Sequence, residues 1–444
     1  MHFIVYFCMK KRFYIETYGC QMNEYDSELL SGILINAGYS FSADPEEADL
    51  ILLNTCSVRD HAEQKIHSRL GELKQIKDRH PQLKIGLLGC MAQNVRDEIL
   101  TNKPYVDLIL GPDAYRNILE HLQSTEKHAI DTKLSKYEVY EDLFPARKSG
   151  INAWISISRG CDKFCSYCIV PYTRGRERSR KVSGILTEAR KAVEQGFVEI
   201  TLLGQNVNSY RDDEKSFPDL LRALAEKVSG IRRIRYISPH PQDVDAALMQ
   251  VHAEYKPLIA NHIHLPLQSG SNSVLAAMNR SYTREHYLKR VEMIRQYVPD
   301  MGISTDIIVG FPGEGDRDFR DTLDIMRQVR YDSAFTFKYS PRPHTKAIKL
   351  QDDVSDTQKT ERLLELIALQ KEHTLQRFRA MIGKELDILV ESGSKRRPEE
   401  MMGRTSCGKV VVFPKANYLP GDLIRRRITN ARGVTLISRE NVEE

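Results

Sequence analysis

The stretch Arg159-Gly160-Cys161-Asp162-Lys163-Phe164-Cys165-Ser166-Tyr167-Cys168 decides how the rest of the chain is read. Its C-x3-C-x2-C spacing sets three thiolates on one tight loop. A cubane 4Fe-4S cluster has four iron corners, and each needs a ligand. A four-cysteine electron-transfer cluster closes every corner, whereas three cysteines leave the fourth iron open to a substrate. Zinc and a disulfide are the competing readings. Zinc sites pair two C-x2-C units or add histidines at a set spacing, and neither follows this loop.

Outward from the loop, strand and helix patterns alternate on both sides. Downstream, strands are predicted at 154–158, 199–203, 233–237, 262–265, 302–309 and 334–339, with helices at 185–195, 217–228, 244–251, 284–297 and 318–329. Six strands with helices outside predict a partial (βα)6 barrel over 151–380, with ligands at the carboxyl-end mouth. Upstream, residues 9–125 read as strands at 12–18, 49–54, 84–88 and 106–110, alternating with helices, which implies an α/β domain on a parallel sheet. Residues 126–150 are polar and aperiodic and read as a linker. A helical run over 357–381 leads to short strands at 385–390, 409–412, 422–428 and 434–438. These predict a small β-barrel over 381–444, of the size that binds oligonucleotides.

The upstream strands place three more cysteines. Cys20 follows the first strand, Cys56 the second and Cys90 the third, beside Gly19, Asn54 with Thr55, and Gly89. The carboxyl ends of parallel strands lie on one edge, and open α/β sheets bind ligands there. Three residues far apart in sequence therefore meet, and a second three-thiolate cluster is expected. The competing reading is three unrelated core cysteines. Cys8 and Cys407 lack such a setting and read as bystanders.

Composition bounds the rest. A chain of 444 residues, 41% apolar and 28% charged, is a globular protein of two or three domains. The net charge of +5 is modest but clustered: 159–181 holds seven basic and two acidic residues, and Lys395-Arg396-Arg397 and Arg425-Arg426-Arg427 lie near the end. Such clusters suit a phosphate backbone, or a plain solvated face. Eight widely spaced cysteines in so long a chain read as reduced thiols, hence a cytoplasmic protein. Residues 1–8 are briefly apolar, but Lys10, Lys11 and Arg12 come after them, the reverse of a signal peptide. Translation from Met9 is the expectation. No segment has the length of a membrane span.

Three sequence blocks carry a resemblance. Thr17-Tyr18-Gly19-Cys20-Gln21-Met22-Asn23-Glu24-Tyr25-Asp26-Ser27-Glu28, Asn54-Thr55-Cys56-Ser57-Val58-Arg59 and Gly89-Cys90-Met91-Ala92-Gln93 are similar to the signature blocks of the methylthiotransferases. The cysteine loop, continuing through Ile169-Val170-Pro171-Tyr172-Thr173-Arg174-Gly175-Arg176-Glu177-Arg178, resembles their radical S-adenosylmethionine (SAM) block. The likeness runs from about Lys10 to Ser438. The segment with Gly403-Arg404-Thr405 resembles the TRAM domain, an RNA-binding β-barrel. Gly19-Cys20-Gln21-Met22-Asn23 resembles the branch acting on prenylated adenosine in tRNA. The threonylcarbamoyladenosine branch usually reads Gly-Cys-Lys-Val-Asn, and the ribosomal-protein branch Gly-Cys-Pro-Lys-Asn. One departure stands out: Arg159 occupies the place where the family often has glutamate.

The resemblance implies two 4Fe-4S clusters, one on Cys161, Cys165 and Cys168 and an auxiliary one on Cys20, Cys56 and Cys90. SAM bound at the first cluster's open iron would be cleaved by one electron to methionine and a 5′-deoxyadenosyl radical. That radical would take hydrogen from carbon 2 of N(6)-dimethylallyladenosine next to the tRNA anticodon, where the methylthio group is then installed. An unidentified electron donor and sulfur source are expected partners, and a monomer is the expected state. The alternatives are a threonylcarbamoyladenosine tRNA, a ribosomal-protein aspartate, or a non-catalytic iron–sulfur RNA-binding protein. SAM contacts are expected at Gly204, Gln205 and Asn206, at Ser238 with His240 nearby, at Gln268 and Ser269, and at Asp306; turns and caps explain these residues as well. Arg174, Arg176, Arg178, Arg180 and Arg425 to Arg427 are candidates for tRNA phosphates.

Overall fold

The computed structural model describes residues 10–57, 60–394 and 397–439. The readings at Cys8, Met9, Val58, Arg59, Lys395 and Arg396 lie outside them. The chain forms two units: Met1–Lys148 with Arg159–Asp162 and Ile169–Arg178, and Ser149–Ser158 with Lys163–Cys168 and Ser179–Glu444.

The first unit is built on a six-stranded sheet in the order Ser40–Phe41, Arg12–Tyr18, Leu50–Thr55, Lys84–Gly89, Leu108–Leu110, Ala129–Asp131. Every pairing is parallel. The run Leu50-Ile51-Leu52-Leu53 shows why. All four side chains are buried, and alternate residues feed opposite faces. Leu50 and Leu52 pack with Phe13, Leu29 and Leu30, while Ile51 and Leu53 pack with Ile66, Leu70 and Leu87. Helices Gln21–Asn36, Asp60–Arg79, Cys90–Asn102 and Ile118–Gln123 supply the covers. The sixth strand, Ala129–Asp131, falls in the segment read as a linker, and three residues are too few to show a period. Tyr140 of that segment is fully buried, donating its hydroxyl to the Pro112 carbonyl at 2.9 Å.

The second unit carries the barrel strands Asn152–Ser156, Glu199–Leu203, Arg233–Tyr236, His262–His264, Gly302–Val309 and Ser333–Lys338. They form two parallel three-stranded sheets, and an isolated parallel bridge pairs Ile234 of the third strand with Ile259, just before the fourth. The six strands thus follow chain order as an open (βα)6 barrel. Ala153, Ile155, Ile200, Leu202, Ile234, Ile303 and Ile307 face the helical shell.

Helix Asp356–Arg379 leads into an antiparallel-rich six-stranded sheet, Glu385–Gly393, Glu400–Thr405, Val410–Pro414, Leu423–Arg427, Asn430–Arg432 and Thr435–Ile437. It curls around Ile388, Val390, Val411, Phe413, Ile428 and Leu436. Glu400–Thr405 and Asn430–Arg432 are absent from the sequence reading, because Met-Met-Gly and Asn-Ala-Arg lack β-branched alternation. The turn after Thr405 meets the amino ends of the barrel strands. Arg233 donates to the Arg404 carbonyl at 2.8 Å, and Arg235 donates to the Thr405 carbonyl at 3.0 Å. Cys407 belongs to this turn, at the end opposite the mouth.

Lys409 and Asp332 form a buried ion pair there, and Arg377 adds a second contact to Asp332 at 3.0 Å. Burial raises the Asp332 carboxyl, but Lys409 and Arg377 outweigh it and hold the group below its ordinary value. A depressed acid stabilises the fold fully above its unfolded pKa of about 3.9, and the contribution disappears as pH falls through the lower folded value. Asp332→Asn is expected to lower unfolding free energy by about 3–5 kcal/mol by stranding Lys409. Urea midpoints should show this loss at pH 7, shrinking below about pH 4. An unchanged midpoint at pH 7 would contradict the pairing.

Candidate functional site

In the first unit the strand register builds the site. Tyr18 stands abreast of Thr55, and Thr55 of Gly89. The next one or two residues are Cys20, Cys56 and Cys90, so all three leave the same sheet edge. Cys20 caps helix Gln21–Asn36, and Cys90 opens helix Cys90–Asn102. The Cys56 amide donates to the Tyr18 carbonyl at 3.0 Å.

A buried amide scaffold fixes this edge. Asn23 Nδ2 donates to Asn54 Oδ1 at 3.0 Å and to the Thr55 carbonyl at 3.1 Å. Asn54 Nδ2 returns a bond to the Asn23 carbonyl at 2.9 Å. Asn23 Oδ1 accepts from Cys20 Sγ at 3.3 Å. A hydrogen bond from Cys56 is the main influence lowering the Cys20 thiol, with the Arg174 charge acting the same way against burial. Burial pushes the Cys90 thiol up, and Arg174 opposes that.

Arg174 is one of three arginines that the sequence reading placed wrongly. It is buried, with Nε 3.2 Å from Cys90 Sγ and Nη2 3.0 Å from Asp26 Oδ2. Arg159 grips the other Asp26 oxygen at 2.8 Å and the Pro112 carbonyl at 3.0 Å, with its guanidinium 4.8 Å from the centre of the Tyr140 ring. Arg178 pairs with Asp113 at 2.9 Å. Three guanidinium groups thus face two carboxylates, leaving one positive charge that a thiolate is placed to balance. Arg180 is also buried, paired with Glu188 in the second unit. Of the four arginines between 174 and 180 read as phosphate contacts, only Arg176 is exposed, beside Asp162; the other three are buried structural cations. Arg425 and Arg427 are exposed, and Arg426 donates to Ser438.

The cysteine loop spans both units. Cys161, in the first, donates its amide to the Gly175 carbonyl at 3.2 Å. In the second, the Cys168 amide donates to the Cys165 carbonyl at 3.0 Å. Arg280 donates from Nη1 to Cys165 Sγ at 3.3 Å, from Nε to Tyr282 at 2.9 Å, and from Nη2 to the Pro266 carbonyl at 3.0 Å. No described cysteine is disulfide-bonded. Among the described residues, no three His, Cys, Asp or Glu side chains converge on a point suited to one metal ion. A cubane cluster is gripped differently, one thiolate per iron, and a buried arginine on a cysteine sulfur suits an anionic cluster.

The expected SAM contacts follow the barrel strands, except Asp306, which lies within strand Gly302–Val309. Gly204 follows strand Glu199–Leu203 directly, then Gln205. Asn206 is buried, with Nδ2 on Asp243 at 2.9 Å and Oδ1 unsatisfied. Ser238 and Gln268 have φ of +60° and +72°, a conformation that non-glycine residues hold at a cost and that clusters at ligand sites. Asp306 pairs with His264 at 3.3 Å. Ser269 is fully buried, its hydroxyl 3.4 Å from that of Thr322. His240 accepts from the Gln242 amide at 3.3 Å, and burial, then Arg280 and Lys163, push it down to about 2. It is a neutral turn residue.

Comparison with known proteins then places the chain. Residues 12–111 match the uncharacterized protein family UPF0004, 155–326 the radical SAM superfamily and 379–439 the TRAM domain. The tRNA-2-methylthio-N(6)-dimethylallyladenosine synthase of Phocaeicola vulgatus is 47% identical over 440 residues, 97% of this chain and 96% of that one. The chain belongs to that synthase family. Its namesake from Chloroherpeton thalassium is 47% identical over 434 residues, 96% of each chain. The radical SAM domain of this synthase family member implies a 4Fe-4S cluster and SAM. Among solved structures, its fold is similar to the radical SAM methyltransferase TsrM from Kitasatospora setae, at a TM-score of 0.57 and 14% identity, covering 76% of this chain and 77% of that one.

Gly89 tests the scaffold. Its φ is +90°, and an added Cβ would stand 2.5 Å from Asn54 Oδ1 and 2.6 Å from the Thr55 carbonyl. Gly89→Ala is expected to cost about 1–3 kcal/mol, read as a lower urea midpoint. Full stability would show that the edge tolerates rearrangement.

Proposed function

We propose that this protein installs a methylthio group on carbon 2 of N(6)-dimethylallyladenosine in the tRNA anticodon loop, by radical SAM chemistry. The observation that carries the reading is the in-register ranging of Cys20, Cys56 and Cys90 along one sheet edge, in a chain that also bears the Cys161, Cys165, Cys168 loop. The full-length relatives, named for that product, support the substrate assignment. The domain reading is 9–125 for the auxiliary cluster, 151–380 for SAM and 381–444 for RNA, while the segment 126–150 read as a connection adds strand Ala129–Asp131 to the first unit's sheet. The cytoplasm is the proposed location, and no described helix is long and apolar enough to cross a membrane.

Carbon 2 of adenine has no acidic proton, so a general base has no purchase on it. When bound, the open-cornered cluster and one SAM would supply a radical able to take that hydrogen, a second SAM would supply the methyl group, and the auxiliary cluster would hold the sulfur that receives it. The protein's own residues hold, orient and shield. Arg280 and Tyr282 fix the loop around Cys165, and Asn23 and Asn54 fix the sheet edge. Asn206 would offer SAM an unsatisfied buried acceptor; Gly204, Gln205, Ser238, Gln268 and Ser269 follow barrel strands, and Asp306 lies within the fifth. An anticodon-loop adenosine is already single-stranded, so presenting it costs less than flipping a paired base. The exposed Arg425 and Arg427 are available to its phosphates.

Anaerobic protein is expected to hold about eight irons, and the Cys161, Cys165, Cys168 triple alanine variant about four. The variant should yield no 5′-deoxyadenosine from SAM and strong reductant. Wild-type protein with only about four irons would remove the auxiliary cluster. Nucleoside analysis of tRNA from a deletion strain should show 2-methylthio-N(6)-dimethylallyladenosine gone. Its persistence, with loss on threonylcarbamoyladenosine instead, would transfer the enzyme to the other branch.

A further inference from the structure

We infer that Arg174 is a positioning residue of the auxiliary cluster: it donates to the Cys90 sulfur and, through its spare Nη1, to a sulfur of the bound cluster, and so raises the cluster's reduction potential. The inference rests on reading Cys20, Cys56 and Cys90 as the ligands.

Two observations carry it. The first is the bond from Nε to Cys90 Sγ at 3.2 Å, made by a side chain only 4% exposed. The second is Nη1, which is buried and has no hydrogen-bond partner. A buried donor left unsatisfied costs about 1–3 kcal/mol, and one kept on the guanidinium that already holds the Cys90 sulfur is suited to an acceptor brought by the ligand. Arg280 provides the contrast. Its Nε, Nη1 and Nη2 all have protein partners, among them Cys165 Sγ. At Arg174 the protein provides partners for two nitrogens and leaves the third.

The guanidinium is held rigidly. Asp26 takes Nη2 on one oxygen while Arg159 takes the other. Asp26 has no exposure and lies two turns or less from Cys20 on the same helix. The clamp therefore fixes Arg174 to the helix that Cys20 caps. Hydrogen bonds and positive charge at cluster sulfurs favour the reduced, more negative cluster, which moves the potential upward. Arg159, where the family often has glutamate, belongs to the same clamp.

The test uses the full chain carrying Cys161, Cys165 and Cys168 as alanine, so that only the auxiliary cluster remains. Iron content and a redox titration followed by electron paramagnetic resonance are compared before and after Arg174→Gln and Arg174→Lys. All three proteins are expected to hold about four irons. The midpoint potential should fall in the glutamine variant and fall less in the lysine variant, which keeps the charge but loses the fork. Either variant holding its irons at an unchanged potential overturns the inference. If glutamine costs the protein its irons, the lysine variant decides alone by the same criterion. A triple-alanine parent that binds no iron fails earlier, and then the reading of the three cysteines as ligands is what falls.

Discussion

The Asp26 carboxylate, with no solvent exposure, sits between the guanidinium groups of Arg159 and Arg174. An ionised carboxylate in such a place costs several kcal/mol unless it is paired and hydrogen-bonded on both oxygens. Here both oxygens are matched. The start of helix Gln21–Asn36 then delivers three functions within seven residues: the Cys20 thiol at the cap, the Asn23 amide that ties the helix to strand Leu50–Thr55, and the Asp26 carboxylate that orients the arginines. Asn23 and Asp26 are three residues apart, hence on one helix face. The spacing of the first signature block follows from this geometry.

Each unit, taken by itself, sets a buried arginine against a cysteine sulfur: Arg174 on Cys90, and Arg280 on Cys165. The physical reason is common to both. A cluster held by thiolates is anionic, and charge in a low-dielectric interior needs a fixed counter-charge nearby. Arginine serves well because its planar fork binds several acceptors at once. Burial acts against the charged form of both guanidiniums, yet Cys90 and Asp26 beside Arg174, and Tyr282, Tyr167 and Cys165 beside Arg280, hold them above the ordinary value.

The cysteines were legible because strand ends are legible. Strand patterns at 12–18, 49–54 and 84–88 were enough to bring Cys20, Cys56 and Cys90 to one edge, and parallel register did the rest. The barrel followed from six apolar runs separated by helical ones. The arginines were not legible. The run 174–180 has the look of a solvated basic face, yet Arg174, Arg178 and Arg180 are buried, since only tertiary partners such as Asp26, Asp113 and Glu188 make their burial tolerable. The left-handed backbone at Ser238 and Gln268 leaves no mark in composition either. Short strands such as Ala129–Asp131 escaped because periodicity needs length.

Iron-edge anomalous diffraction from anaerobically grown crystals of reconstituted protein tests the central claim most directly. The account predicts two separate iron peaks, one bounded by Cys161, Cys165 and Cys168 and one bounded by Cys20, Cys56 and Cys90 with Arg174 against its sulfurs. Fully loaded crystals with iron at the first site and none at the second would contradict it.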